Sequence, residues 1–131
     1  MAAQITEILD TNVLLRFLVG DNEAQQELAR EWFLEAEQGK RKIVISSLIV
    51  AEAIFVLESF YKKSRADITS ALEVFLSQRW LQVEEREILL MALSFYAQGD
   101  HFVDSYLRGA SLVKHLGILS FDKKLQKRSA A

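Results

Sequence analysis

Four short apolar segments, separated by stretches with helical periodicity, constrain the fold of this 131-residue chain more than any other feature. We predict that these segments are strands, over residues 5–9, 43–45, 80–83 and 118–120. Apolar residues between them recur every three or four positions, which is the spacing of an amphipathic helix. Strands that alternate with helices are typical of an α/β domain built on a parallel sheet. We therefore predict a single domain over residues 1–131, with helices covering both faces of the sheet.

Capping residues and glycines set the expected ends of the helices. We predict a short helix over residues 12–19, a second from Asp21 or Asn22 to about residue 38, and a third over about 48–61. Ser64 and Asp67 have the spacing of a capping box, which predicts a fourth helix start. Later helices are expected between residue 84 and Gly99, and over about 102–116.

The composition excludes several classes of protein. The chain has no cysteine, so disulfide scaffolds and thiolate zinc sites are excluded. Its first residues lack the features of a signal peptide, and its most apolar run is too short to cross a bilayer. We therefore expect a soluble, cytoplasmic protein without a membrane partner. A net charge of −2 argues against binding nucleic acid by global charge, although three basic clusters leave room for a surface that contacts phosphate.

Asp10 lies at the junction between the first predicted strand and the helix behind it. Ligands of parallel α/β sheets bind at the carboxyl ends of the strands, so this carboxylate is directed at the usual place for chemistry. The alternative is that Asp10 only caps the helix, since Asp is a good N-cap residue. The position alone does not decide between the two roles.

Three further acids stand out from the solvated ones. Glu52 is the only charge in the apolar run 48–57, where we expect a buried helix and an unpaired carboxylate unless a basic residue pairs with it. Asp104 lies early in its helix, with Arg108 four residues on as a possible ion-pair partner. Asp122 follows the last predicted strand, and it could equally cap a helix in the basic tail.

The four acids can converge at one edge of a parallel sheet. Oxygen ligands without cysteine favour Mg²⁺ or Mn²⁺ over zinc. An acidic site of this kind suits hydrolysis of a phosphodiester, because the metal activates water and neutralises charge on the phosphate. The pattern therefore predicts a metal-dependent nuclease with Asp10, Glu52, Asp104 and Asp122 at its centre.

Four stretches in order resemble the PIN domain and, within it, the VapC-like ribonuclease toxins of type II toxin–antitoxin pairs. They are LDTNVLLRFL, ISSLIVAEAIFVL, FVDSYLRGASLVKHLG and ILSFDKKL, and they carry the four acids in turn. The resemblance implies a three-layer α/β/α fold around a short parallel sheet of four or five strands. It also implies cleavage of single-stranded RNA that depends on Mg²⁺ or Mn²⁺ and leaves a 5′-phosphate and a 3′-hydroxyl.

The same resemblance implies roles for individual residues and partners. Asp10, Glu52 and Asp104 would form the central metal site, and Asp122 would complete it directly or through water. Thr11, Asn12 and Ser120 would orient the carboxylates and the metal-bound waters, with local capping as the alternative for all three. Such toxins form homodimers and are silenced by a small antitoxin.

The chain departs from the family pattern in two places. His101 stands where the family often has an acid, and Asp100 precedes it, so Asp100 is an accessory acid or a loop residue. An exposed loop position is the expectation for His101. Only residues 123–131 follow the closing Asp122, and they contain no apolar run for a fifth strand.

Other functions are compatible with parts of the pattern. An aspartyl-phosphate phosphatase also starts with an Asp after a strand, but it needs a second Asp where this chain has Asn12. A receiver domain is disfavoured because the chain lacks an acidic pair near its start. An RNA-processing nuclease shares the same core as a toxin, and a non-catalytic RNA-binding module would not need four acids.

Overall fold

A computed structural model describes residues 4–127 of the chain, which form three strands and seven helices in that range. The elements in chain order are β1 (Ile5–Ile8), α1 (Thr11–Val19), α2 (Glu23–Glu37), β2 (Arg41–Ile45), α3 (Ser47–Ser59), α4 (Arg65–Leu76), β3 (Gln82–Val83), α5 (Arg86–Ala97), α6 (Phe102–Lys114) and α7 (Lys123–Lys127).

The three strands form one parallel sheet in the order β1-β2-β3, which confirms the prediction of a parallel α/β fold. Ile8 pairs with Val44, and Val44 pairs in turn with Gln82. Two backbone bonds continue the pairing beyond the strands, from Leu9 N to Val44 O at 2.9 Å and from Glu84 N to Ile45 O at 2.9 Å. The carboxyl ends of all three strands therefore lie side by side, and the chain leaves each of them at the same edge of the sheet.

Three helices, α2, α3 and α4, begin where their capping residues predict. The Asn22 side chain accepts from Gln25 N at 3.0 Å, and the Ser64 hydroxyl accepts from Asp67 N at 3.1 Å. The Ser46 side chain accepts from Ile49 N at the start of α3. Each of these bonds satisfies one of the donors that a helix leaves unpaired in its first turn, so local sequence fixes these starts.

The fourth predicted strand is absent from the described residues, so the expectation of four or five strands is wrong. Residues 118–120 are irregular, and Leu119 is fully exposed. The physical reason is local: Ser120 Oγ accepts from Asp122 N at 3.0 Å, and Asp122 Oδ1 accepts from Lys124 N at 2.9 Å. These side-chain bonds turn the backbone into α7 and compete with an extended conformation. Residues 128–131, in the segment after Asp122 where the family commonly has a fifth strand, lie outside the described range.

The apolar residues of the helices build a core against the sheet. Phe33 of α2 contacts Phe17 of α1 and Phe75 of α4, with ring centroids 4.7 and 5.3 Å apart in edge-to-face geometry. Such aromatic pairs add specific geometry to the area that they bury. Within residues 4–127, no helix is long and apolar enough to cross a membrane.

Candidate active site

Asp10 occupies the N-cap position of α1, but its carboxylate does not cap the helix. The backbone of Asp10 is extended, and its carbonyl accepts from Val13 N at 3.1 Å, so the helix begins here as predicted. The exposed side chain makes no hydrogen bond or ion pair with any residue in the described range. The capping alternative therefore fails for the Asp10 carboxylate, which is left free at the carboxyl edge of the sheet.

Glu52 lies one and a half turns into α3, and its surroundings differ from the prediction. We expected a helix buried nearly all round, but α3 leaves an outer apolar face exposed, including Leu48 at 79% and Phe55 at 69%. Glu52 lies between them on this face and is exposed. Its carboxylate also lacks a partner among residues 4–127. The alternative of a structural ion pair is therefore not observed, and the cost of burying the charge does not arise.

Asp104 lies in the first turn of α6, and the alternative of an ion pair with Arg108 is not observed. Arg108 instead donates to Asp100, with Nη1 and Oδ2 2.6 Å apart, and its guanidinium lies 3.7 Å from the ring centroid of Phe95. Asp100 therefore has a structural role, as the loop interpretation predicted. Asp104 is half-buried and makes no side-chain bond with the described residues.

Asp122 and Ser120 take part in local bonds at the start of α7. Asp122 Oδ1 accepts from Lys124 N and, at 3.2 Å, from Leu125 N, which is the geometry of an N-cap. Ser120 Oγ accepts a hydrogen bond from Asp122 N. The alternative of local capping is thus observed for both residues. Neither follows a strand, so the reason for aligning Asp122 with Asp10 is lost.

The remaining sequence candidates lie beside the acids. Thr11 is buried in the first turn of α1, and Asn12 is exposed next to it. His101 is an exposed residue at the start of α6, as expected, and its side chain makes no capping bond. No hydrogen bond or ion pair links His101 with Asp10 within the described range.

Sequence reasoning missed a polar network around Glu85, at the same edge of the sheet. Glu85 accepts from Ser47 Oγ at 2.7 Å, from the Tyr106 hydroxyl at 2.8 Å, and from Lys114 Nζ at 3.4 Å. These bonds lower the pKa of the Glu85 carboxyl, and the bond from Ser47 has the largest effect. Glu85 has a positive φ of 55°, a conformation that costs a non-glycine residue energy unless the surroundings fix it. It ties α3 to α6, the two helices that carry Glu52 and Asp104.

The signal that singled out Asp10 could have found Glu85 too. An acid just after a parallel strand is a candidate for the carboxyl edge, and Glu85 lies two residues after β3 as Asp10 lies two residues after β1. The signal alone does not separate Glu85 from Glu84, which directly follows β3. The difference is that Glu85 is fully engaged by donors, whereas the Asp10 carboxylate is free.

The donor chemistry fits a hard divalent cation, but the described acids do not form a ready-made cluster. No three or more Asp, Glu or His residues within 4–127 come close enough together to hold a metal ion. Mg²⁺ usually needs only one or two carboxylates, with waters and substrate oxygens completing its shell. Asp10, Glu52 and Asp104 provide unpaired carboxylates, which are the kind of ligand that Mg²⁺ requires.

Comparison with known proteins identifies the family. Residues 8–130 match the PIN domain. The chain belongs to the PIN-domain family. The PIN domain thus spans nearly the whole chain, including all four candidate acids, and the resemblance inferred from the motifs is confirmed.

One curated relative is a VapC ribonuclease from Aquifex aeolicus (strain VF5), which is 29% identical to this PIN-domain chain over 124 residues. The match covers 92% of this chain and 90% of the relative. A comparison with solved structures found no significant match. The similarity of this PIN-domain chain to that VapC ribonuclease thus extends over nearly its full length.

Proposed function

We propose that this PIN-domain protein is a divalent-metal-dependent endoribonuclease that cleaves single-stranded RNA, and that it is the toxin of a toxin–antitoxin pair. The proposal rests on three acids of this PIN-domain chain whose carboxylates are free to bind a ligand. Asp10, Glu52 and Asp104 each lack a cationic or hydrogen-bonding partner among the described residues, and each lies in one of the segments that carry the PIN-like motifs. Free carboxylates at these positions are suited to bind an external cation.

We assign the metal-binding role to Asp10, Glu52 and Asp104. These residues would hold a Mg²⁺ or Mn²⁺ ion, which would supply an activated water and positive charge against the scissile phosphate. Asp10 projects from the carboxyl edge of the sheet, where α/β proteins bind ligands. The Glu85 network links α3 and α6, the helices that carry the other two acids.

Four residues have supporting roles in the proposal. Asp122 would join the metal site directly or through water, after release of its capping bonds. Thr11, Asn12 and Ser120 would orient the carboxylates and waters around the ion. Because Asp122 already caps α7, we expect a smaller loss of activity from its replacement than from replacement of Asp10.

The toxin role rests on the similarity to a VapC ribonuclease. We propose a small antitoxin and a second copy of the chain as protein partners. Co-expression with a neighbouring small open reading frame tests this part separately. A stable complex that lowers RNA cleavage supports it, and cleavage that is unchanged by the neighbour contradicts it.

The nuclease activity is tested by incubating the purified chain with single-stranded RNA in Mg²⁺, in Mn²⁺ and in EDTA. We expect cleavage with either metal, none in EDTA, and a loss of about 100-fold or more in Asp10→Asn and Asp104→Asn, because each removes charge from the proposed metal site. Glu73→Gln is the matched control, since Glu73 is an exposed acid on α4 without a described partner. Full activity in both Asn variants would contradict the proposal.

A further inference from the structure

A cleft of about 370 Å³ opens directly beside Asp10. Its walls come from β1, β2 and α2, and they include Trp32, Phe33, Arg41 and Ile43; we call it the Trp32 cleft. Its volume lies within the range of roughly 300–1,000 Å³ that is usual for small-molecule sites. The cleft therefore has room for a planar group next to the proposed metal ligand.

Trp32 differs from its neighbours in the wall because it is only half-buried. Phe33 and Ile43 are buried in the core, but part of the Trp32 indole remains accessible. The same indole also lines a second depression of about 180 Å³ between α1 and α2, together with Asn12 and Arg16. Trp32 thus lies at the meeting point of two depressions, and one of them reaches Asp10.

The charges around the Trp32 cleft favour an uncharged occupant. Arg41 is already engaged by two acids, with Nη1 2.5 Å from Glu7 Oε1 and Nη2 3.6 Å from Glu35 Oε2. Its positive charge is therefore offset, and Asp10 adds a free negative charge at the rim. Without a metal at Asp10 a phosphate would be repelled here, whereas a neutral aromatic ring would find apolar walls and the half-buried Trp32 indole, whose ring centroid lies 6.0 Å from the Arg41 guanidinium.

We infer that the Trp32 cleft binds a nucleobase of single-stranded RNA, stacked on Trp32, beside the phosphate that is cleaved at Asp10. The inference rests on the proposed function, because that function makes RNA the substrate. Every nucleobase has a π-face, so stacking on an aromatic side chain is a general means of holding single strands. Trp32 is thus assigned as a substrate-binding residue that places the adjoining phosphate.

The fluorescence of Trp32 provides a direct test. The chain has two tryptophans, and Trp80→Phe leaves Trp32 as the sole indole. We add Asp104→Asn to this variant to block the proposed cleavage, and we expect saturable quenching when it is titrated with a short single-stranded RNA in Mg²⁺. In a separate binding assay, Trp32→Ala should weaken affinity about 5- to 150-fold. Trp32→Phe should retain most of the affinity because it keeps a ring.

Two controls separate stacking from other effects. Leu34→Ala changes an exposed residue on the same helix, outside the Trp32 cleft, and should leave RNA affinity unchanged. An abasic RNA of equal length keeps the phosphate charge but has nothing to stack. The wild type and Trp32→Ala should therefore bind this RNA with equal affinity. A loss that is equal for both RNAs would overturn the assignment of stacking.

The outcome is distinguishable from failure of the proposed function. RNA binding that depends on Trp32, without any cleavage, would support the cleft and contradict the nuclease. Two results together would overturn the cleft and leave the nuclease function standing. One is cleavage by Trp32→Ala with an unchanged KM, and the other is the absence of quenching when RNA is added to the variant whose only indole is Trp32.

Discussion

Gly109 allows α5 and α6 to approach each other closely, so its replacement by alanine provides a quantitative test of this contact. A Cβ built on Gly109 lies 2.9 Å from the backbone oxygen of Ile88 and 3.5 Å from Ala92 N. The first distance is too short for two unbonded atoms. The oxygen belongs to the backbone of α5, so it cannot move aside as the end of a flexible side chain would.

Two opposing effects determine the sign of the change in Gly109→Ala. Alanine stabilises a helix interior by about 1 kcal/mol relative to glycine. Forcing an extra methyl group into a closely packed contact costs about 1–3 kcal/mol, and a rigid backbone neighbour favours the upper half of that range. We therefore expect the free energy of unfolding to fall by about 1–2 kcal/mol, which corresponds to a drop in Tm of about 4–8 °C for a domain of this size.

Urea unfolding followed by circular dichroism measures this change. Ala110→Gly, at the next position of α6, provides the matched control for helix propensity, with an expected loss of about 1 kcal/mol. If Gly109→Ala were as stable as the wild type or more stable, the close contact between α5 and α6 would be refuted. The expected result would confirm that glycine is needed here for packing, since α6 is regular at this position.

Two further predictions concern α5 and its first turn. Arg86 donates to three backbone oxygens, those of Leu76, Gln78 and Leu81. Because a lysine ammonium group cannot span all three, Arg86→Lys should lower the free energy of unfolding, measured in urea, by about 1–3 kcal/mol. The lowered pKa of Glu85 means that its stabilising contribution is complete above the ordinary value of 4.5 and is lost as the pH falls through the folded-state pKa. Glu85→Gln should therefore unfold with a weaker dependence on acid pH than the wild type, and equal acid profiles of the two proteins would contradict this linkage.

The candidate site shows where sequence reasoning reaches its limit. An i, i+4 rule pairs Arg108 with Asp104, yet the structure pairs Arg108 with Asp100. The reason is that the guanidinium lies on the ring of Phe95 in α5, and Asp100 follows the end of that helix. A contact between two helices thus overrides a local spacing rule worth only about 0.3–0.5 kcal/mol.

The sequence by itself determined the first three strands, the helices that alternate with them and several helix starts, and it singled out the candidate acids. These features depend on chemistry within a few residues, such as the bonds from Asn22 and Ser64 to nearby backbone donors. Only the tertiary structure decided which carboxylates are free and which are engaged. Asp10 and Glu85 both follow strands, but donors from α3 and α6 surround Glu85 alone. Partners that are distant in the chain make this difference, and local sequence patterns do not encode their approach.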